Sequence, residues 1–421
     1  MMNELAQQLF PEAQPLVRDA ADVETRASWL KIPAKPAVYL LTAPADDSSP
    51  SDKPVLLATV GDLRAALKRR LADPSPPSPD APVATKRIPY GRLCHRVHYR
   101  IVHSPFAANW FYWQAARALF PQRYREMIAS RPTWWIALES DVVAAQFPKL
   151  RRSQSLDDPS LLYAGPIRDK TAAGKLIELV EDLFDLCRYH NILVQAPLGK
   201  ACAYKEMGKC PAPCDGSVPL EWYYAAIKAA FGFITGNSRD AFFSAQQAAM
   251  TAAAGGQAFE KAQKIKQRLN RAAAIHQEPY AHLAPLDHFA FLALQPGQGK
   301  PYIEPFLIHG GSITQLPQLH KKTLANDVQK LFKSAQSTAG TPITLPVDSR
   351  GIDQMSLVAH HLYRDEDAGV YLPLHTLDSP ESLLTAAQNF LARKSSPKPL
   401  MEQSSEPAAE ANASPPASSS E

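Results

Sequence analysis

Nowhere in its 421 residues does the chain hold about eighteen apolar residues in succession, and its opening residues, Met1 to Phe10, place no basic segment ahead of an apolar run. Neither a membrane-spanning helix nor a secretion signal is expected from such a pattern, and a cytoplasmic protein is. Excess charge is scarce as well. The balance of 45 Lys+Arg against 41 Asp+Glu leaves +4, so any binding of nucleic acid must rest on local patches rather than on overall attraction. Cysteine is rare and odd in number: there are five, with Cys94 remote from the others. That count fits a reducing compartment better than a disulfide framework and leaves the thiols available for metal. Residues 394–421 contain no aromatic side chain and are dominated by Ser, Pro, Ala and Glu. Such a tail cannot bury enough apolar surface to order itself and is expected to be disordered.

What is present is enough for two or three folded domains, since 45% of the residues are hydrophobic and 20% charged. The most informative stretch runs through Cys187, Cys202, Cys210 and Cys214, the last two separated by Pro211, Ala212 and Pro213. Thiolates are soft ligands, and the two prolines stiffen the backbone that carries two of them, so the four can hold an iron–sulfur cluster or zinc. The C-x14-C-x7-C-x3-C spacing is not the usual pair of C-x2-C knuckles, and four reduced cysteines in ordinary packing remain the alternative.

Around this stretch the periodicities predict an α+β chain. Ala37 to Leu41 and Pro54 to Ala58 are strands, followed by a helix with Leu63, Leu67 and Leu71 on one face and Arg64, Lys68, Arg69 and Arg70 on the rest. Five prolines between 74 and 82 mark a linker or inserted loop. A third strand is expected at 97–102, a helix at about 109–120 whose Trp110, Phe111, Trp113 and Phe120 belong to the core, and another strand at 133–138. Leu162 to Pro166 ends in a Gly-Pro that signals a turn. A helix over 171–186 carries one apolar stripe and delivers Cys187 at its end, and a second over 220–235 stops at Gly236. Gly255-Gly256 splits residues 240–274 into two helices able to fold back as a hairpin. In the second of these, Phe259, Ala262, Ile265 and Leu269 form a narrow apolar stripe that calls for a partner helix. Strands at 288–294 and 301–308 are joined by a Pro-Gly-Gln-Gly turn, and helices are expected near 323–333 and 354–363.

These landmarks, together with Lys200-Ala-Cys-Ala-Tyr-Lys-Glu-Met-Gly-Lys-Cys-Pro-Ala-Pro-Cys-Asp-Gly and Ala258-Phe-Glu-Lys-Ala-Gln-Lys-Ile-Lys-Gln-Arg-Leu, give roughly residues 35–310 a sequence that resembles the N-terminal part of the bacterial excinuclease UvrC. The resemblance implies a small GIY-YIG-like α/β domain at 35–125 behind an N-terminal segment at 1–34, a helical cysteine-rich module at 126–238, a UVR-like helical hairpin at 239–275, a small C-terminal α/β region at 276–393 and the tail at 394–421. It further implies an iron–sulfur cluster, with zinc as the alternative, on Cys187, Cys202, Cys210 and Cys214. A UvrB-like protein would dock on the hairpin through Phe259, Glu260, Lys261, Ala262, Ile265 and Leu269, and the setting would be nucleotide excision repair of damaged DNA, with no membrane involved.

The nuclease signature departs from that family. Tyr39 matches the first tyrosine, but the second tyrosine position falls on Leu56, the glycine on Ala58, the lysine on Thr59, the arginine most nearly on Ala66 and the metal-binding glutamate on Tyr112. Phosphodiester cleavage needs a base, a metal ligand and a cation on the phosphate, which apolar side chains cannot supply. A retained fold with lost nuclease chemistry is therefore expected, and with it no divalent nuclease metal. Asp348, Asp353, Asp365, Asp367 and His375 beyond residue 310 read as a solvated face. DNA would be held through phosphates by Arg64, Lys68, Arg69 and Arg70. The competing expectations are an active metal-dependent, structure-specific endonuclease with a divergent site, and a cluster-bearing regulatory protein.

Overall fold

The computed structural model describes residues 2–16, 31–45, 52–72, 88–128, 131–364, 369–393 and 403–404. The proline-rich stretch at 74–82, Asp365, Asp367 and nearly all of the tail lie outside them. Helices and sheets are mixed throughout, as an α+β chain requires, and among the described residues no helix is long and apolar enough to cross a membrane. The chain divides into two compact units, residues 1–129 with 395–421, and residues 130–394.

The first unit is a five-stranded antiparallel sheet. Helix α1 (Met2–Leu9) precedes strand β1 (Glu12–Pro15), and the hairpin of β2 (Ala37–Ala43) and β3 (Lys53–Val60) is followed by α2 (Leu63–Leu71), β4 (Arg96–Ile101) and α3 (Pro105–Leu119). The strand order is β1-β4-β2-β3, extended at the β3 edge by Gln403–Ser404. Apolar residues at every β2 position up to Leu41 let helices cover both faces of the sheet. Leu63, Ala66, Leu67 and Leu71 of α2 close one core with Ala37, Tyr39, Leu41, Leu56, Ala58 and Val60, while α3 lies against β2 and β3 from the other side. Asp62 caps α2 by accepting from the Ala65 amide at 2.9 Å, and Ser104 caps α3 with Pro105 in its first turn. Trp110 and Trp113 are buried, as expected for core aromatics, whereas Phe111 and Phe120, expected beside them, are half-buried.

The second unit holds two sheets. In the first, β5 (Trp134–Glu139), β6 (Arg151–Ser153), β7 (Leu161–Ile167) and β8 (Ala284–Pro285) run in the order β6-β5-β7-β8. Helices α4 (Lys170–Leu183) and α5 (Leu220–Thr235) complete its core through Leu176, Val180, Leu183, Tyr223, Ile227, Phe233 and Ile234. Then α6 (Arg239–Gly255) and α7 (Phe259–Ala272) form an antiparallel hairpin, and Gly236 ends α5 at φ +91°, a conformation that costs glycine nothing. The second sheet, of β9 (Ala290–Pro296), β10 (Tyr302–His309), β11 (Ser312–Gln315) and β12 (Val370–Pro373) in the order β11-β10-β9-β12, packs one face on α8 (Leu324–Ala339) and α10 (Pro380–Ala392). Between those helices α9 (Ser349–Leu362) is capped by Asp348, so that acid is occupied in starting a helix.

Two sequence expectations are corrected. Gly165-Pro166 is not a turn: it lies inside β7, where Gly165 pairs with Ala284 and the absent side chain leaves room for the Trp135 ring. A β-carbon at 165 would stand 2.6 Å from Trp135 Cε3 and 3.1 Å from the Trp134 carbonyl oxygen. Trp135 is buried edge-on against Phe289 and has nowhere to go. Gly165→Ala is expected to destabilise the second unit by about 1–3 kcal/mol, read as a lower midpoint in thermal denaturation; an unchanged midpoint would mean the strand can shift. The second correction is at the cysteines. Helix α4 ends at Leu183, and Asp185 at φ +52° turns the chain, so Cys187 emerges from a turn beyond the helix rather than from its last residue.

The candidate cysteine site and the residues around it

Each thiol arrives on a different piece of irregular backbone. Cys187 follows the turn at Asp185, Cys202 caps the single helical turn Ala203–Glu206, and Cys210 and Cys214 flank the Pro-Ala-Pro bend, in which Ala212 adopts φ +62°. Prolines at 211 and 213 hold that strained residue in place. The Gly199 amide donates to the Cys214 carbonyl at 2.9 Å, so the two arms of the loop touch where a β-carbon on 199 would meet the same oxygen at 2.9 Å and Gln195 Cβ at 2.8 Å. The glycine permits the closure.

Two of the thiols are hydrogen-bonded to each other. Cys187 donates to Cys210, which holds the Cys210 thiol down to about 6 and drives Cys187 up, and burial adds to the rise at Cys187. Burial raises Cys214 too, as do the neighbouring charges of Asp215, Cys210 and Cys202. The positive charge of Arg188 favours the Cys210 thiolate. Cys210 and Cys214 are buried, Cys187 and Cys202 half-buried, and Cys94 lies apart in the first unit. Among the described residues no group of three or more His, Cys, Asp or Glu side chains is gathered so as to hold a metal ion. The donor set is nevertheless a chemical match for a thiolate-ligated group: four thiols on one closed loop, two of them hydrogen-bonded, the most acidic beside an arginine.

Salt links fasten the loop to its surroundings. Arg188 pairs with Asp182 of α4 and donates to the Lys209 carbonyl at 3.3 Å, and Lys205 bonds Asp215 and Ser217, each at 2.6 Å. Burial pushes the Glu181 carboxyl up to about 7 despite Arg188 nearby. From α7, Arg268 reaches the Leu183 carbonyl and Asp185, and Arg271 reaches Asp182, which anchors the hairpin at its base. Along the hairpin Phe259 is 68% exposed, Glu260 and Lys261 are exposed, and Ala262, Ile265 and Leu269 are half-buried. Only Ala253 of α6 and Ala272 of α7 are buried, so the two helices protrude with their stripe incompletely covered.

The nuclease-like positions lie in the first unit. In register, Tyr39 faces Ala58 on one side and Tyr99 on the other, and Leu41 faces Leu56. Tyr39, Leu56, Ala58 and Ala66 all belong to one dry cluster. Thr59 is buried with its side chain on the other face of β3, and Tyr112 is fully buried on α3, its hydroxyl without a hydrogen-bond partner among the described residues and its ionisation suppressed by burial. Of the basic residues on α2, Arg64 is half-buried and donates through Nε to the Ile32 carbonyl at 2.6 Å; Lys68 and Arg69 are exposed and Arg70 half-buried. Arg64 is therefore partly committed to holding its own fold. Arg100 is similarly engaged, bonding the Leu9 carbonyl at 2.8 Å with its guanidinium 4.3 Å from the Phe111 ring centre.

Loop closure also brings Tyr189, Tyr204 and Arg188 together, three residues for which no binding role was expected from the sequence. His282 and His288 had no expected role, and together with His375, which was expected on a solvated face, they line a cavity of about 220 Å³ in the second unit.

Residues 133–233, which include all four clustered cysteines, match a family model described as UvrC/Cho excinuclease, middle domain. Proteins named UvrABC system protein C are similar over longer stretches. The one from Syntrophomonas wolfei is 24% identical over 173 residues, covering 41% of this chain and 28% of that protein. The one from Nitrobacter winogradskyi is 25% identical over 232 residues, 54% of this chain and 33% of the relative, and that from Syntrophotalea carbinolica is 29% identical over 124 residues, 30% and 20%. The chain thus spans a third or less of the length of these relatives. No solved structure matches it.

Proposed function

From a middle domain of the UvrC/Cho excinuclease family at residues 133–233, we propose that the chain is a UvrC-like protein of nucleotide excision repair that binds DNA and a partner protein and has lost GIY-YIG cleavage. The observation that carries this reading is the match itself, because it spans the whole loop bearing Cys187, Cys202, Cys210 and Cys214. The four thiols would hold an iron–sulfur cluster, which would supply a rigid, thiolate-bound centre for the loop. The chain's own part is to close the loop at Gly199, to keep Cys210 acidic and to tie the loop to α4 through Arg188. The hairpin of α6 and α7 would dock on a helical, UvrB-like partner along Phe259, Ala262, Ile265 and Leu269, with Glu260 and Lys261 at the rim, since that stripe is incompletely covered. Lys68, Arg69 and Arg70, with Arg64 in a lesser part, would meet DNA phosphates.

Loss of cleavage is supported by where the substituted positions lie. In the first unit a hairpin, a helix, a strand and a helix follow one another as the GIY-YIG reading expects. Yet Leu56, Ala58 and Ala66 pack around Tyr39 as a core would, with no group among them that can take a proton, coordinate a cation or steady a phosphate. Incubated with Mg²⁺ or Mn²⁺, the protein is expected to leave branched, nicked and ultraviolet-damaged duplexes uncut while still shifting them in gels. Metal-dependent nicking that disappears in Tyr39→Phe would overturn the loss of nuclease function and favour an active, divergent endonuclease.

A further inference from the structure

We propose that Tyr189 and Tyr204, with Arg188, Lys200 and Lys209, form a stacking platform on the cysteine module that takes an unpaired base of single-stranded DNA. The inference rests on the DNA-binding reading above and narrows it to a substrate class and a place.

Loop closure brings the two rings together. Tyr189 lies two residues after Cys187 and Tyr204 two residues after Cys202, yet their ring centres stand 5.7 Å apart at 55°. The Arg188 guanidinium lies 4.5 Å from the centre of the Tyr204 ring. It is held there by Asp182 and by its bond to the Lys209 carbonyl. Tyr189 remains 47% exposed. A tyrosine serving only to staple two arms of a loop would be expected to bury its ring, because an aromatic stabilises through the area it removes from water. Here one ring is spent on the cation and the other is presented to solvent.

The charges carried on the same loop choose the ligand. Arg188 is neutralised in part by Asp182, and Lys205 by Asp215. Lys200 and Lys209 have no ion-pair partner among the described residues, and Glu206 is the one further acid between Arg188 and Asp215. An exposed π-face on a loop that also carries unpaired lysines suits a ligand that is itself both flat and anionic. Single-stranded DNA is such a ligand: phosphates meet the lysines, and a base released from its stack lies on the ring. In an intact duplex the base faces are already stacked and cannot reach the platform. An apolar protein segment would gain nothing from the lysines.

The test uses the full chain with its cysteine site loaded, and fluorescein-labelled oligothymidylate beside a duplex of equal length, read by anisotropy at fixed salt. Tyr189→Ala is expected to weaken single-strand binding about tenfold and to leave duplex binding unchanged, with Tyr189→Trp restoring the single strand. Lys209→Ala should weaken both forms alike and reduce the salt dependence of each. Metal content and thermal midpoint equal to wild type establish that the variants are folded. Single-strand binding unaffected by both Tyr189→Ala and Tyr204→Ala overturns the platform, as does an equal loss on single strand and duplex. A wild-type protein that binds duplex but no single strand also overturns it and leaves the DNA reading standing; one that binds no DNA removes both.

Discussion

Purified without oxygen, the Cys210→Ala variant is expected to lose the broad visible absorption and the iron, about four per chain with matching sulfide, that the wild type carries if the four thiols hold a [4Fe–4S] cluster. Cys210 is the thiol that Cys187 is hydrogen-bonded to. It accepts from Cys187, is held down to about 6 by that bond and by Arg188, and its charge reaches Cys214. Removing it takes away one ligand and the acceptor that orients a second, so partial loading is not expected. Because a ligand loop of this kind owes much of its order to the bound group, the variant should also melt earlier in residues 187–216, seen as faster amide exchange there. A wild type with one zinc and no colour would keep the cysteines as a structural site and remove the cluster. A wild type without metal would mean that the four thiols are packing residues after all.

The second large effect is expected at Phe233. Its side chain is fully buried, and its ring centre lies 5.8 Å from Phe184, 5.0 Å from Phe242 and 6.1 Å from Phe243. These four rings join α4, α5 and the base of the α6–α7 hairpin. Phe233→Ala removes a large apolar side chain from a site that cannot readily collapse, because Phe184 at the end of α4 and Phe242 and Phe243 of α6 hold the surrounding rings in place. A loss of about 3–5 kcal/mol is expected, measured by urea denaturation of the full chain, with faster proteolysis at Gly236–Ser238 as the hairpin loosens. Stability within a few tenths of a kcal/mol of wild type would show that the hairpin is held by Arg268 and Arg271 alone. The partner-binding reading depends on this anchor, since a hairpin free at its base presents no fixed stripe.

Much of the local structure was legible because it rests on periodicity. Alternation and apolar runs gave β2 and β3, helical spacing gave α2, α4 and α5, Gly255-Gly256 gave the break between α6 and α7, and Pro-Gly-Gln-Gly gave the β9–β10 turn. The likeness to UvrC was legible for another reason: the cysteine and Phe-Glu-Lys-Ala motifs fix residue types at particular spacings, and the middle-domain match at 133–233 falls on the first of them.

What depends on distant partners was not legible. Gly165-Pro166 carries the local signature of a turn, and only the pairing of β7 with the far-removed β8 at Ala284, together with the Trp135 ring over Gly165, makes it a strand. Whether Leu56 and Ala58 face the same core as Tyr39 depends on the β2–β3 register, because a shift of one residue would turn both to the other face. The sequence by itself determined the elements, the four-cysteine loop and the likeness of residues 133–233 to the UvrC/Cho middle domain, all of which follow from short-range spacing. Only the tertiary structure decided that Arg64 is occupied by Ile32 and that Tyr189 and Tyr204 stand together, because each depends on a contact between residues that the chain itself keeps apart.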